Sequence, residues 1–296
     1  MSIAGVTREL LVRYLDAWTP AALHTARRAT YVHAADADVE TAEAALRVFA
    51  EFADRLRTRR LTMVVVGARA ADAGRRLEAV QGELRTPSEL SVHPVPGAAA
   101  ELLPVAVRAA GAAGAPLLVY FDSDAGGPAT DVIGVGKPTE LILSVPPAGW
   151  ADTRRALREG GFPLTAGVEL VDGEASRLLG FGTLSAKNLE TFKNALWAVD
   201  EYAGVRFRDP RDPERHLLDI SLNPDPGPLR RQLQAHLAAS GACSVTDLRR
   251  FTLTETVYRS ADTTRALTAL LTAGTVSRDP EQGRLSGDVI IAPPTR

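Results

Sequence analysis

The stretch YVHAADADVE, residues 31–40, runs from apolar residues through a turn of acids into a helical pattern. Tyr31 and Val32 belong to a short strand, ATYVHA. Residues 39–58 follow as an amphipathic helix, with Ala42, Ala45, Leu46, Phe49 and Phe52 recurring at helical spacing. A strand that turns directly into a helix opens a βαβ unit. In nucleotide-binding versions of that unit, glycines in the turn let the main chain approach the ligand closely. This turn, His33-Ala34-Ala35-Asp36-Ala37-Asp38, contains no glycine.

Outward from this point the pattern repeats. LTMVVVGA (61–68), LSVHPV (90–95), PLLVYFD (116–122) and ELILSVP (140–146) read as strands. The first of these is apolar without alternation, as in a strand covered on both faces. Helical patterns fill 7–28, where Pro20 is expected to break or restart the helix, and 70–82, 98–113 and 150–159. GVELVDG and RLLGFGTLS, around 167–185, read as an antiparallel pair ahead of a helix over 188–203. Alternation of this kind predicts an α/β domain over residues 1–207, with a mostly parallel sheet and helices on both faces. A closing antiparallel strand is the habit of the class I methyltransferase-like, Rossmann-type version of that fold. The proline- and charge-rich stretch 208–228 reads as a linker. Residues 229–296 hold three helical patterns and two short strands around a polar turn, which predicts a winged helix.

Composition bounds the function. The 296 residues carry a net charge of −2, with 45% hydrophobic and 24% charged residues, so no global attraction to nucleic acid is expected. The single cysteine, Cys243, forms no internal disulfide, and the five scattered histidines show no ligand spacing, so no metal site is expected. The first residues read as an amphipathic helix rather than a signal peptide, and no apolar run is long enough to span a bilayer. A cytoplasmic protein is expected.

Three segments, in order, resemble the three-Cys-motif partner protein family (TcmP). They are RELLVRYLDAWTP followed by YV, GFGTLSAKNLETFKNALWAVDE, and FTLTETVYRSADTTRALTALLTAGTV. The resemblance implies a methyltransferase-type domain with a C-terminal helical module. It also implies a partner protein with a three-cysteine motif encoded nearby; a homodimer is the alternative partnership. Family members tend to carry a glycine-containing loop after the first strand, where S-adenosylmethionine lies against the backbone. Here alanines and Asp36 and Asp38 stand in that place. An acid is expected to end the second strand and bind ribose hydroxyls. Instead Gly67-Ala68-Arg69 stands there, and Asp72 comes a turn later.

The candidate site therefore comprises Asp36, Asp38, Gly67 and Arg69 around a cofactor position, with Asp122, Asp124 and His33 as catalytic candidates. Asp122 and Asp124 sit at the carboxyl end of the fourth strand, where open α/β sheets place ligands. Their bland alternative is a capped polar turn, and for the Asp36–Asp38 loop it is an aspartate N-capping the next helix. His33 and His93 have no identifiable partner. GVGKP (134–138) ends in proline where a Walker loop needs Ser or Thr, so it is no phosphate loop. Arg249, Arg250, Arg259, Arg265 and Arg284 are the arginines with which the C-terminal module would meet nucleic acid.

Three functions follow. The first is a partner protein that has lost S-adenosylmethionine, has no cofactor and works through protein contacts. The second is an active, divergent S-adenosylmethionine-dependent methyltransferase. The third is a winged-helix regulator that binds nucleic acid.

Overall fold

A computed structural model describes residues 2–36, 38–124, 139–147, 149–199 and 204–293. Its centre is a nine-stranded sheet. Five strands run parallel: β1 (Arg28–Ala35), β2 (Arg60–Gly67), β3 (Leu90–Pro96), β4 (Leu117–Asp122) and β5 (Thr139–Val145). β7 (Ala175–Thr183) lies antiparallel between β5 and β6 (Leu164–Asp172). The order is β3-β2-β1-β4-β5-β7-β6, continued by two short strands, β8 (Arg206–Arg208) and β9 (Leu217–Leu218). The first seven strands have the class I methyltransferase order, with its reversed seventh strand.

Alternation along the strands sorts the two faces. Tyr31 of β1 packs on the face covered by α1 (Ile3–Thr25), α2 (Val39–Glu51), α3 (Ala70–Leu84) and α6 (Ala186–Trp197). Val32 and Ala34 pack on the other face, beneath α4 (Ala99–Ala109) and α5 (Trp150–Glu159). On that second face Gly167 and Gly180 pair across β6 and β7, and the Trp150 indole lies over them. A Cβ on Gly167 would sit 2.7 Å from that ring.

Two local expectations give way to packing. α1 continues through Pro20, because Trp18, Ala22 and Leu23 on either side of it are buried in the core. The helix expected over 39–58 ends at Glu51 and gives way to a 3-10 turn, Ala53–Thr58.

One polar group is sealed in this core. Glu140 of β5 is 1% exposed and accepts hydrogen bonds from Tyr14 Oη of α1 and Asn188 Nδ2 of α6. Burial lifts its pKa to about 7, against the pull of those two donors.

The stretch expected as a linker is bound into the fold. β8 pairs with β6, and β9 pairs with β8. Phe207, Leu218 and Ile220 are buried. Arg208 Nη1 donates to buried Glu169 Oε1 at 3.0 Å, and Arg215 Nη2 reaches the same oxygen at 3.3 Å. Charge and proline made this segment read as solvated, whereas its few apolar residues extend the sheet.

Beyond it stand α7 (Gly227–Ser240), β10 (Cys243–Ser244), α8 (Val245–Glu255), α9 (Asp262–Thr272), β11 (Ser277–Asp279) and β12 (Ile290–Ala292). The strands form a separate antiparallel sheet, β10-β12-β11. This unit is fastened to the first. Lys193 of α6 is 1% exposed, and its Nζ donates to the carbonyl oxygens of Thr252, Leu253, Thr256 (2.8 Å) and Tyr258 (2.8 Å). Those carbonyls lie in the last turn of α8 and just after it, where a helix offers unpaired acceptors and the negative end of its dipole. Trp197 Nε1 donates to Val257 O at 3.0 Å and its ring stacks on Tyr258 at 5.6 Å. Arg154 Nη2 reaches both Glu255 carboxylate oxygens at 2.6 and 2.7 Å.

Candidate functional site

The strand order reverses between β1 and β4, and a cleft of about 870 Å³ opens at the carboxyl ends of the strands beside that point. Ile3 and Arg8 of α1, Asp36 and Asp38 after β1, Arg69 after β2 and Asp122 at the end of β4 are among its walls. Five of the seven candidates line it: Asp36, Asp38 and Arg69 on one side, Asp122 and Asp124 on the other. Gly67 packs against the Ala35 backbone beside it, and His33 stays in the core.

Each of the acids has a partner. Asp36 Oδ1 accepts from the Ala68 N–H at 3.0 Å and the Ala99 N–H at 3.1 Å, so it ties the loops after β1, β2 and β3 together. Asp38 caps α2, accepting from the Thr41 N–H at 2.9 Å. Gly67 explains the glycine-free turn. A Cβ there would lie 2.1 Å from the Ala35 carbonyl oxygen, so the turn leans on the end of β2 and the glycine that permits close approach sits on the neighbouring strand.

On the far side, Arg177 of β7 organises the floor. Its Nη1 donates to Asp124 Oδ1 at 2.6 Å, its Nη2 to Asp122 Oδ1, its Nε to Ser144 Oγ at 2.7 Å. Asp122 Oδ2 also accepts from Tyr120 Oη at 2.9 Å. Burial pushes the Tyr120 hydroxyl well above the usual tyrosine range, with the Asp122 charge adding to it, so it stays a donor. The carboxylates expected to act on a substrate are held by a guanidinium from a strand about fifty residues further along. Sequence reasoning missed Arg177 because only the tertiary fold brings β7 beside β5. An arginine pointing from a strand of buried residues was the available signal.

His33 does not reach the cleft. It is 0% exposed, stacked on Tyr120 at 5.1 Å between ring centroids. Its Nε2 lies 3.0 Å from the Asp38 carbonyl oxygen and its Nδ1 3.0 Å from Tyr31 Oη. A carbonyl only accepts, so Nε2 carries the proton and Nδ1 accepts from Tyr31. Burial lowers its pKa, keeping it neutral. The expected general base is a core side chain with both nitrogens satisfied. His93 is exposed on the edge strand β3 and is absent from the cleft walls. GVGKP (134–138) and the Gly-Gly turn after Asp124 lie outside the described residues. Among the described residues no cluster of His, Cys, Asp and Glu is arranged to hold a metal ion, and no helix is long and apolar enough to cross a membrane.

The C-terminal arginines are largely engaged. Arg249 Nη2 donates to Thr264 Oγ1 at 3.2 Å and Arg250 pairs with Asp247 at 3.0 Å. Arg259 grips buried Asp262 at 2.9 Å and the Leu222 carbonyl at 2.8 Å; Arg265 donates to the Pro224 carbonyl. Arg284 is exposed.

No protein-family model matches the chain, and no curated protein matches it. Solved structures share the outline of the fold. The N-terminal domain of human METTL16 in complex with SAH is 12% identical, over 59% of this chain and 68% of that one, with a TM-score of 0.35. Atu636, a predicted O-methyltransferase from Agrobacterium tumefaciens, is 18% identical, over 59% and 81%, with a TM-score of 0.34. The chain spans about two thirds of the METTL16 domain. Overlaps this loose carry no weight of their own; the strand order defines the fold.

At the positions where that fold holds S-adenosylmethionine, this chain carries different groups. The turn after β1 carries side chains and leans on β2. The group after β2 is a cation. No carboxylate lies among the described residues at the end of β2.

Proposed function

We propose that the chain is a methyltransferase-fold protein that no longer takes S-adenosylmethionine and acts through a protein partner, as its resemblance to the three-Cys-motif partner proteins implies. The observation that carries this reading is the engagement of the acids around the cleft. Asp36 serves three loops, Asp38 caps α2, and Arg177 holds Asp122 and Asp124. Each already spends at least one carboxylate oxygen on holding the fold, so none stands as an uncommitted acceptor for ribose hydroxyls. Titration calorimetry with S-adenosylmethionine and S-adenosylhomocysteine tests it: no binding is expected, and micromolar binding of either sinks it.

The C-terminal unit, read as a winged helix, belongs to the same reading. A helix that reads DNA presents its N-terminal residues to base edges. The N-terminus of α9 is instead docked: Tyr258 is buried against Trp197, and the Ser260 N–H points at Glu190. Contact with protein therefore suits this unit better than contact with nucleic acid. Co-purification with a three-Cys-motif protein encoded nearby is expected, and its absence at micromolar concentrations counts against the partnership.

A second reading is favoured by the position of the cleft. Its volume and its place at the reversal of strand order are those of a small-molecule site. In that reading the protein is a divergent methyltransferase with Asp122 and Asp124 beside the substrate. Methyl transfer that survives Asp122→Asn together with Asp124→Asn would remove the residues assigned here.

A further inference from the structure

We propose that the cleft takes an adenine nucleotide phosphorylated on the ribose 2′ oxygen, with Arg69 at the end of β2 as the group that binds this phosphate. The inference rests on the reading above that S-adenosylmethionine is not the ligand. In open α/β sheets the residue closing the second strand of the nucleotide-binding half meets the ribose. An acid there accepts from the 2′ hydroxyl, whereas an arginine accommodates a 2′ phosphate. Here Gly67-Ala68-Arg69 closes that strand, beside the reversal of strand order, and Arg69 lines the cleft.

The Arg69 guanidinium is available. Its side chain is 59% exposed, and its nearest carboxylate oxygen, Asp72 Oδ2, stands 3.9 Å away, beyond a hydrogen bond. Asp72 is engaged more closely by Arg75. The other acids of this rim are matched: Glu40 with Arg8 at 2.6 Å, Glu43 with Arg47 at 3.0 Å and with Arg76 at 2.5 Å. Asp36 is held by two backbone N–H groups. Arg69 is thus the rim cation without an acid at bonding distance among the described residues.

The acids of the cleft set where the phosphate sits. Asp122 and Asp124 line the far side, and a phosphate placed there meets like charge. Arg8, Arg76 and Arg177 also line the cleft, but each is paired with an acid at bonding distance, which leaves the Arg69 guanidinium at the β2 end to face a phosphate. The remaining space, about 870 Å³ in all with Ile3 and Val39 as apolar walls, is ample for a nucleoside bisphosphate.

The test is titration calorimetry on the full chain at low salt. The probes are adenosine 2′,5′-bisphosphate, adenosine, inorganic phosphate and S-adenosylmethionine, with the wild type and Arg69→Gln. The bisphosphate is expected to bind at least tenfold more tightly than adenosine or inorganic phosphate. Arg69→Gln is expected to weaken it at least tenfold with an unchanged melting temperature, because the side chain is exposed. No binding of the bisphosphate, or equal binding by the variant, overturns the assignment while a silent S-adenosylmethionine titration leaves the function reading standing. S-adenosylmethionine binding that is indifferent to Arg69→Gln overturns both.

Discussion

Replacing Glu140 by glutamine removes a buried charge while keeping its shape. The carboxyl group lies between β5, α1 and α6, and burial lifts its pKa from 4.5 to about 7. A carboxyl with a raised folded pKa holds its proton more tightly in the fold than in the unfolded chain. Between pH 4.5 and about 7 the unfolded chain releases that proton and the folded chain keeps it. The unfolding free energy therefore falls as pH rises through this window and levels off above it. At about 1.4 kcal/mol per pH unit, this loss of stability amounts to about 3 kcal/mol. Glutamine cannot ionise, and its amide still finds Tyr14 Oη and Asn188, whose own amide can turn to offer its oxygen. Urea unfolding of wild type and Glu140→Gln at pH 4.5, 5.5, 6.5 and 8 measures the effect. The two are expected to be similar at pH 4.5, with the variant more stable by about 3 kcal/mol at pH 8. A stability difference that stays constant across that range refutes the reasoning, because it would mean that Glu140 titrates alike in both states.

Lys193→Met keeps the apolar stem and strips four carbonyls of their shared donor, so a loss on the order of 3 kcal/mol is expected in chemical unfolding. Faster proteolysis after residue 240 should accompany it, and a variant as resistant as the wild type would speak against the fastening role. Gly67→Ala brings a methyl group onto the Ala35 carbonyl and is expected to destabilise by about 1–3 kcal/mol, measured by thermal unfolding; an unchanged melting temperature would contradict the close approach of β1 and β2. Arg177→Met leaves Asp122 and Asp124 facing each other. Asp122 is partly and Asp124 almost wholly solvated, so a loss of only about 1 kcal/mol is expected, and added salt, which screens the repulsion, should narrow the gap to the wild type.

Much of the fold was legible because buried parallel strands are written as apolar runs: LTMVVVGA and PLLVYFD admit few other readings. The antiparallel pairing of β6 and β7 was legible from the short turn between them. The segment over 208–228 was not, since the two residues of β9 and buried Ile220 weigh little against eight charged residues and five prolines. Around the cleft the residue types were legible but their engagements were not. That Asp38 caps a helix is a local matter, which an aspartate just ahead of a helical pattern already suggests. That Arg177 holds Asp122 and Asp124 is set by contacts between distant strands, which no local pattern encodes. His33 shows the same limit: whether a strand's last residues face solvent depends on what stacks above them, here Tyr120.

The Lys193 cradle bears on how the chain can be handled. An ammonium whose counterparts all come from the opposite body has no satisfactory environment once that body is removed. A fragment ending before α7 would carry a bare cation and the Trp197 indole on a surface meant to be dry, and the complementary fragment would present a ring of naked carbonyls. Neither piece is a sensible object for expression or screening, so whatever this protein meets, it meets with both halves in place.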